Sequence, residues 1–139
     1  MHRFTCAAAA LCLFPLPALA QDGGHAAALT FETGATTGRV LVALYDSEAA
    51  WRSGPARARL AVDASGPVVA VFRDLPAGDY GVKAFHDVDG DGEMETNPFG
   101  IPVEPYAFSN NAVGNMGPAS WERARFTVSG DVAQTIRLR

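Results

Sequence analysis

Cysteine is missing from most of the chain, because Cys6 and Cys12 both lie within the first 20 residues. Those 20 residues read as a secretory signal peptide, with a short positive start, an apolar run to about Leu16 and an A-x-A cleavage site before Gln21. The apolar run is too short for a permanent membrane anchor. We therefore expect a periplasmic or secreted domain over residues 21–139, not embedded in a membrane and without disulfides or a cysteine nucleophile.

Lys and Arg are absent from one long stretch of the chain. Without residues 1–20, which include Arg3, ten Lys and Arg face 15 Asp and Glu. No Lys or Arg lies between Lys83 and Arg123, whereas seven carboxylates do. A nucleic-acid surface requires the opposite sign of charge. We therefore expect no nucleic-acid partner, and an envelope protein or a glycan of unknown identity is the expected type of partner.

Long helices are not predicted either, and the chain shows no β-α alternation. Residues 38–46 are apolar on both faces, which predicts a central strand. After Ser47 one or two helical turns are predicted, with Trp51 covering an open edge of the core. This pattern predicts an all-β fold, a single antiparallel β-sandwich of Ig-like or transthyretin-like type with about seven strands. The strands are expected at 29–33, 38–46, 58–62, 68–73, 80–86, 123–128 and around 136–138.

The turn LPAGDY, residues 75–80, joins two of these predicted strands. Pro76 presets its φ angle, and Gly78 tolerates positive φ. These residues favour a β-hairpin between 68–73 and 80–86.

Residues 87–122 form a connection far longer than those usual in compact domains. The segment is rich in Gly, Pro and Asn, but it also contains aromatic residues such as Phe99 and Trp121, which disordered segments lack. We therefore expect one long, ordered loop that carries the function.

The stretch HDVDGDGEMETN, residues 86–97, matches the first half of a D-x-[DN]-x-[DN]-G calcium loop. Asp87, Asp89 and Asp91 occupy the alternating ligand positions, and Gly92 occupies the sixth position, where the backbone turns sharply. The twelfth position is Pro98 instead of Glu and no helix is predicted to follow, so the loop is not an EF-hand. A shorter calcium site is predicted instead. Its candidate ligands are Asp87, Asp89, Asp91, Glu93, Glu95 and Asn97.

Two other interpretations of this acidic loop stay open. It could be a solvated turn, because Asp-Gly steps form turns readily and salt screens exposed charges. It could also hold a different metal. Calcium is favoured because five carboxylates within nine residues repel one another and no neighbouring position supplies a positive charge.

His86 precedes the acidic residues at the end of a predicted strand. A zinc site would need further His or Cys ligands, and beyond the signal peptide only His25 is present. We therefore interpret His86 as a structural histidine that is hydrogen-bonded to an Asp. Ser109, His86 and Asp87 could form a hydrolase site on paper, but the sequence has no G-x-S-x-G elbow. No enzymatic activity is predicted, and a small envelope hydrolase is the less favoured alternative.

The connection also carries polar and aromatic candidates for ligand binding. Asn110 and Asn111 could bind a sugar or complete a metal site, but Asn side chains more often bond to loop backbone and tolerate left-handed φ. Aromatic residues such as Phe108 more often pin a loop to its sandwich than bind a carbohydrate. The candidate ligand-binding residues are His86, Tyr106, Ser109, Asn110 and Asn111.

Four segments of the chain carry a family resemblance: GRVLVALYD (38–46), LPAGDY (75–80), FHDVDGDGEMETNPFGIP (85–102) and YAFSNNAVGNMGPASWERARF (106–126). Together they resemble the uncharacterised secreted bacterial proteins of domain-of-unknown-function family 2141. The resemblance implies an extracytoplasmic β-sandwich and brings no established activity. The LPAGDY turn is also similar to one in transthyretin-like and carboxypeptidase-regulatory-like sandwiches.

These observations together predict a non-catalytic binding or accessory module of the cell envelope that binds calcium at its acidic loop. The alternative is a carbohydrate- or lipid-related binding module that uses the loop aromatics with Asn110 and Asn111.

Overall fold

The computed structural model describes residues 23–139, and the predicted signal peptide, residues 1–20, lies outside them. In this part of the chain, no helix is both long and apolar enough to cross a bilayer. The elements in chain order are β1 (His25–Glu32), β2 (Arg39–Tyr45), α1 (Glu48–Ser53), β3 (Ala58–Asp63), β4 (Val68–Leu75), β5 (Gly78–Asp87), β6 (Tyr106–Phe108), a 3-10 turn (Ser109–Asn111), α2 (Trp121–Ala124), β7 (Phe126–Val128) and β8 (Val132–Arg137).

The strands form two sheets. One sheet has the order β4-β1-β8, and the other has the order β3-β2-β5-β6, with β7 pairing with the start of β5. All neighbouring strands are antiparallel except β1 and β8, which run parallel. The predicted all-β, mainly antiparallel sandwich is confirmed, and the described residues contain eight strands where about seven were expected.

Alternating apolar residues of both sheets build one core. In β1, Leu29 and Phe31 are buried, and in β2 Val40, Val42 and Leu44 face them from the other sheet. Each buried methylene group contributes about 0.8 kcal/mol. β2 lies between β3 and β5, which confirms the prediction of a central strand.

The predicted hairpin between 68–73 and 80–86 is wrong. β4 pairs with β1, and β5 pairs with β2, so the LPAGDY turn carries the chain from one sheet to the other. Leu75 and Tyr80, on either side of the turn, both enter the core between the sheets. The Tyr80 hydroxyl donates to the carbonyl of Pro76 at 2.8 Å and fixes this corner.

The strand predicted at 123–128 begins later than expected. Only Phe126–Val128 is a strand, because α2 occupies Trp121–Ala124 and buries Ala124. α2 belongs to a second apolar cluster on the outer face of the five-stranded sheet. There Trp51 is buried, and its ring centre lies 5.9 Å from the ring centre of Trp121. Trp51 therefore covers the outer face of a sheet instead of an edge of the main core.

Candidate functional site

The acidic loop lies at the end of β5, where the chain leaves the sheet before it returns as β6. The amide of His86 donates to the carbonyl of Pro105 at 2.8 Å, so the two ends of this excursion are joined. A second tie is the isolated bridge between Thr96 and Pro102. The connection is ordered as expected, but it is not a single loop because it contains β6 and two short helical turns.

Three predicted ligands come together in this loop. One carboxylate oxygen from each of Asp87, Asp89 and Asp91 lies within 4.8 Å of the others. Calcium binds oxygen at about 2.3–2.6 Å, so two of its ligands can be up to about 5 Å apart. The separations of these three oxygens therefore fit a single calcium ion.

Asp87 is the buried anchor of this loop. Its two carboxylate oxygens accept hydrogen bonds from the amides of Gly90 at 2.8 Å and Gly92 at 3.0 Å. Arg39 on the neighbouring strand places its Nε 3.6 Å from Oδ2. Burial alone raises the pKa of Asp87, but these hydrogen bonds and charges outweigh burial and hold the pKa below its ordinary value. Asp87 is thus ionised and fixed at the end of β5.

Asp89 and Asp91 shape the exposed part of the loop. Oδ1 of Asp89 accepts from the Asp91 amide at 3.1 Å, and Oδ1 of Asp91 accepts from the Glu93 amide at 2.8 Å. Each carboxylate therefore keeps its other oxygen for a further partner. Gly90 and Gly92 have φ angles of 81° and 84°, in the left-handed region that glycine adopts without strain.

Glu104 is a site residue that the sequence analysis missed. It is buried, and its two oxygens accept from the amides of Val88 at 3.0 Å and Glu95 at 3.3 Å. It therefore joins the start and the end of the acidic loop. Glu104 precedes Pro105, whose carbonyl accepts from the amide of His86, the residue before Asp87. This pairing places Glu104 beside the acidic loop, but it is visible only in the folded chain.

Glu95 adds a fourth negative charge beside Asp87, Asp89 and Asp91, which together form the aspartate group. The charge of Asp89 is the largest cause that raises its pKa, followed by burial and by the charges of Glu104 and Asp91. Glu95 therefore lies close enough to the aspartate group for its ionisation to be disfavoured by the neighbouring negative charges. A bound cation would reduce this repulsion.

Two predicted ligands are not part of the aspartate group. Glu93 is exposed and contributes its amide to the turn. Oδ1 of Asn97 accepts from the amides of Phe99 at 2.9 Å and Ile101 at 3.0 Å. The Asn97 oxygen thus holds the next turn of the connection.

His86 is fully buried, but its expected hydrogen bond to an Asp is wrong. Its Nε2 lies 2.7 Å from the carbonyl oxygen of Thr37, and its Nδ1 has no hydrogen-bond partner. The alternation of β5 places His86 on the core face, whereas the carboxylate of Asp87 turns into the loop. His86 therefore takes no part in the aspartate group.

Ser109 is also fully buried and serves the backbone. Its hydroxyl accepts from the amide of Val82 at 2.9 Å and donates to the carbonyl of Ala124 at 2.6 Å. Along β5, Val82 is four positions from His86, a separation of about 13 Å in a strand. The structure therefore does not bring Ser109 to His86.

Asn110 and Asn111 hold the connection against α2 and β8. The Asn110 amide group donates to the carbonyls of residues 123–125 at 2.8–3.2 Å, and the Asn111 amide group donates to Thr135 at 3.0 Å. Their φ angles are 61° and 51°, in the left-handed region. The two Asn side chains therefore bond to backbone and adopt left-handed φ angles, as their structural interpretation expects.

A groove on the outer face of the five-stranded sheet is the second site, and the sequence analysis did not predict it. The groove has a volume of about 1240 Å³. Leu41 and Phe85 form part of its floor, because they are register partners on the face opposite the core. Phe99 and Met116 line it from the long connection and are 87% and 103% exposed. Tyr106, a predicted ligand-binding residue, also lines the groove.

The chain matches one bacterial family over residues 32–136, described as uncharacterised proteins conserved in bacteria, which is domain-of-unknown-function family 2141. The chain belongs to this family. The resemblance inferred from the sequence is thereby confirmed. The family 2141 region runs from the end of β1 to β8, so the acidic loop and the groove both lie inside it. No curated protein and no solved structure matches the chain.

Proposed function

We propose that the protein is a non-catalytic accessory module of the cell envelope whose acidic loop binds calcium. The observation that supports this proposal most is the convergence of Asp87, Asp89 and Asp91 within 4.8 Å. Oxygen ligands at such separations suit a hard divalent cation. Asp87 would be the fixed ligand, Asp89 and Asp91 would contribute their remaining oxygens, and Glu95 would complete the site directly or through water. The bound ion would add to the positive charge of Arg39, whose Nε lies 3.6 Å from Asp87 Oδ2.

The proposed role is structural because the loop is tied to the rest of the fold at several points. Asp87 is the last residue of β5, and Glu104 joins both ends of the loop. A cation held here would therefore stabilise the connection that leads to β6. The non-catalytic part of the proposal is supported by Ser109, whose hydroxyl hydrogen is donated to a backbone carbonyl. Asn110 and Asn111 do not support the ligand-binding alternative, because their amide groups serve the backbone.

A thermal melt of the purified protein tests calcium binding. In excess EDTA and then with increasing calcium, we expect a saturable rise in the melting temperature, because a ligand that binds only the native state stabilises it, by about 2.7 kcal/mol at 100 times Kd. Asp89→Ala should remove most of this rise. The matched control is Asp63→Ala, because Asp63 makes the same bond to the amide two residues later, at 2.8 Å to Ser65, outside the aspartate group.

Magnesium provides a further comparison in this experiment. Calcium takes flexible oxygen shells, whereas magnesium requires near-octahedral geometry and retains its waters. We therefore expect a much smaller rise with magnesium. If Asp89→Ala lowers the melting temperature equally in EDTA and in calcium, the loop is a solvated turn and the calcium proposal is wrong.

A further inference from the structure

We infer that the groove on the outer sheet face is a second binding site, which takes a single-chain amphiphile with one carboxylate head, such as a fatty acid. This inference goes beyond the calcium proposal, because it rests on a different surface of the five-stranded sheet. It combines three observations: an apolar floor, exposed apolar side chains beside that floor, and two cations in a groove without carboxylates.

The register of the strands arranges the groove floor in two rows across the sheet. Phe85 of β5 pairs with Leu41 of β2 and with Tyr106 of β6, and Leu41 also pairs with Ala61 of β3. Because side chains alternate along a strand, these four residues share the outer face. This row gives an apolar strip onto which an aliphatic chain can lie.

The long connection supplies apolar side chains beside this strip. Phe99, Ile101 and Met116 line the groove and are 87%, 58% and 103% exposed. Single exposed apolar residues are common on protein surfaces, but a cluster that lines one concavity indicates a binding site. An apolar ligand in the groove would remove these side chains from water.

The neighbouring row is cationic. Ala43 of β2 pairs with Arg59 on one side and with Lys83 on the other, so the two cations flank the smallest side chain of the row. Two strand spacings separate their backbones, about 9–10 Å. Both cations line the groove, and none of its lining residues is Asp or Glu. An anionic head at this end of the groove would therefore lie near two positive charges.

Lys83, the only lysine of the chain, has no carboxylate partner among the described residues. Its Nζ donates to the carbonyl of Trp51 at 2.6 Å and lies 4.6 Å from the Trp51 ring centre and 4.7 Å from that of Tyr45. Burial lowers the pKa of Lys83. An ammonium has three donors, so a carboxylate head could accept the hydrogen bonds that the Trp51 carbonyl does not use.

The shape and chemistry of the groove favour a small amphiphile over other occupants. A volume of about 1240 Å³ is slightly above the range of small-molecule sites, about 300–1,000 Å³. A sugar would require several side chains that form hydrogen bonds with hydroxyl groups. The groove lining offers only two tyrosines and the two cations for this purpose.

Titration with dodecanoate below its micelle concentration tests the inference. Binding is measured by calorimetry and by the fluorescence of Trp51 and Trp121, in excess EDTA and again in excess calcium. We expect saturable one-to-one binding and an at least tenfold weaker affinity for dodecyltrimethylammonium, whose head has the opposite charge. Arg59→Gln should raise the dodecanoate Kd about tenfold, as expected for a charge-assisted hydrogen bond.

Two more variants separate the groove from general surface effects. Phe99→Ser should also weaken binding, and the high exposure of Phe99 means that the fold is retained. Arg73→Gln is the matched control, because Arg73 is exposed on β4 of the other sheet and forms no ion pair within residues 23–139. It should leave Kd unchanged.

Three results would overturn the inference. The first is an absence of dodecanoate binding both in EDTA and in calcium. The second is an unchanged Kd in both Arg59→Gln and Phe99→Ser. The third is a dimer, seen by sedimentation, that Phe99→Ser dissociates, since a second copy would then occupy the groove. Binding in EDTA would support the amphiphile site even if the melts showed no calcium effect, so the two proposals can fail separately.

Discussion

At the scale of single residues, Glu95 shows how the charge of the acidic loop opposes folding. The charge of Asp89 and then burial raise its pKa above the ordinary 4.5. A carboxyl group with a raised folded-state pKa contributes stability below its unfolded pKa, and that contribution is lost as pH rises through the folded-state pKa. At neutral pH the charge of Glu95 therefore opposes folding, by an amount that solvent screening reduces because the side chain is exposed.

We expect Glu95→Gln to be more stable than the wild type in EDTA and to be stabilised less by calcium. In EDTA at neutral pH it should raise the melting temperature, because it removes the strained charge. It should also flatten the pH dependence of stability above pH 4.5, the ordinary pKa of a Glu side chain. In saturating calcium the variant should gain less stability than the wild type. The control is Asp74→Asn, an exposed position outside the loop whose φ of 56° suits Asn. A lower melting temperature of Glu95→Gln in EDTA would contradict this explanation.

Ser109 illustrates the cost of removing a buried hydroxyl. Ser109→Ala leaves the amide of Val82 without its acceptor, whereas the carbonyl of Ala124 loses one of two donors and keeps the Asn110 amide group at 3.2 Å. An unsatisfied buried polar group costs about 1–3 kcal/mol, so we expect a loss of this size in urea unfolding. Ser129→Ala, at an exposed serine, should change the free energy of unfolding by less than about 0.5 kcal/mol. Equal effects in the two variants would show that the Ser109 hydroxyl has no structural role.

At the scale of elements, the contact between β5 and the two tryptophans depends on a glycine. A Cβ atom at Gly81 would lie 2.9 Å from ring atoms of both Trp51 and Trp121. Gly81→Val should therefore push the rings apart and cost about 1–3 kcal/mol, as overpacking does. Denaturant unfolding measures the loss, and near-ultraviolet circular dichroism reports on the tryptophan packing. Gly66→Ala is the control, because nothing lies within 4 Å of its added Cβ. Unchanged stability in Gly81→Val would show that α1 and α2 move freely over β5.

The strands were predictable from the sequence to different degrees. Alternation and apolar runs located β2, β3 and β4 well, because side-chain burial follows the period of two in a strand. The LPAGDY turn was located correctly but assigned to a hairpin. Turn residues determine how sharply a chain reverses, and whether it remains in one sheet depends on which partners the flanking strands find. Local sequence cannot supply that information.

At the scale of the whole molecule, one candidate site was predictable from local sequence, whereas the other features depend on which strands pair. The aspartate group was predictable, because its members are close in sequence and their spacing matches a known ligand pattern. Glu104 and the groove were not, because both depend on the register between strands. Arg59 and Lys83 are far apart in sequence and become neighbours of Ala43 only in the folded sheet.

The parallel pairing of β1 with β8 has a consequence for how the protein is made. β1 is the middle strand of its sheet, and Arg137 of β8 bonds to Glu32 of β1 across 105 positions. Contacts between residues this far apart in sequence slow folding. While the chain is being synthesised, one edge of β1 has no partner until the C-terminal strand is available. A chain in which β8 is missing or not yet made therefore exposes an aggregation-prone edge of β1.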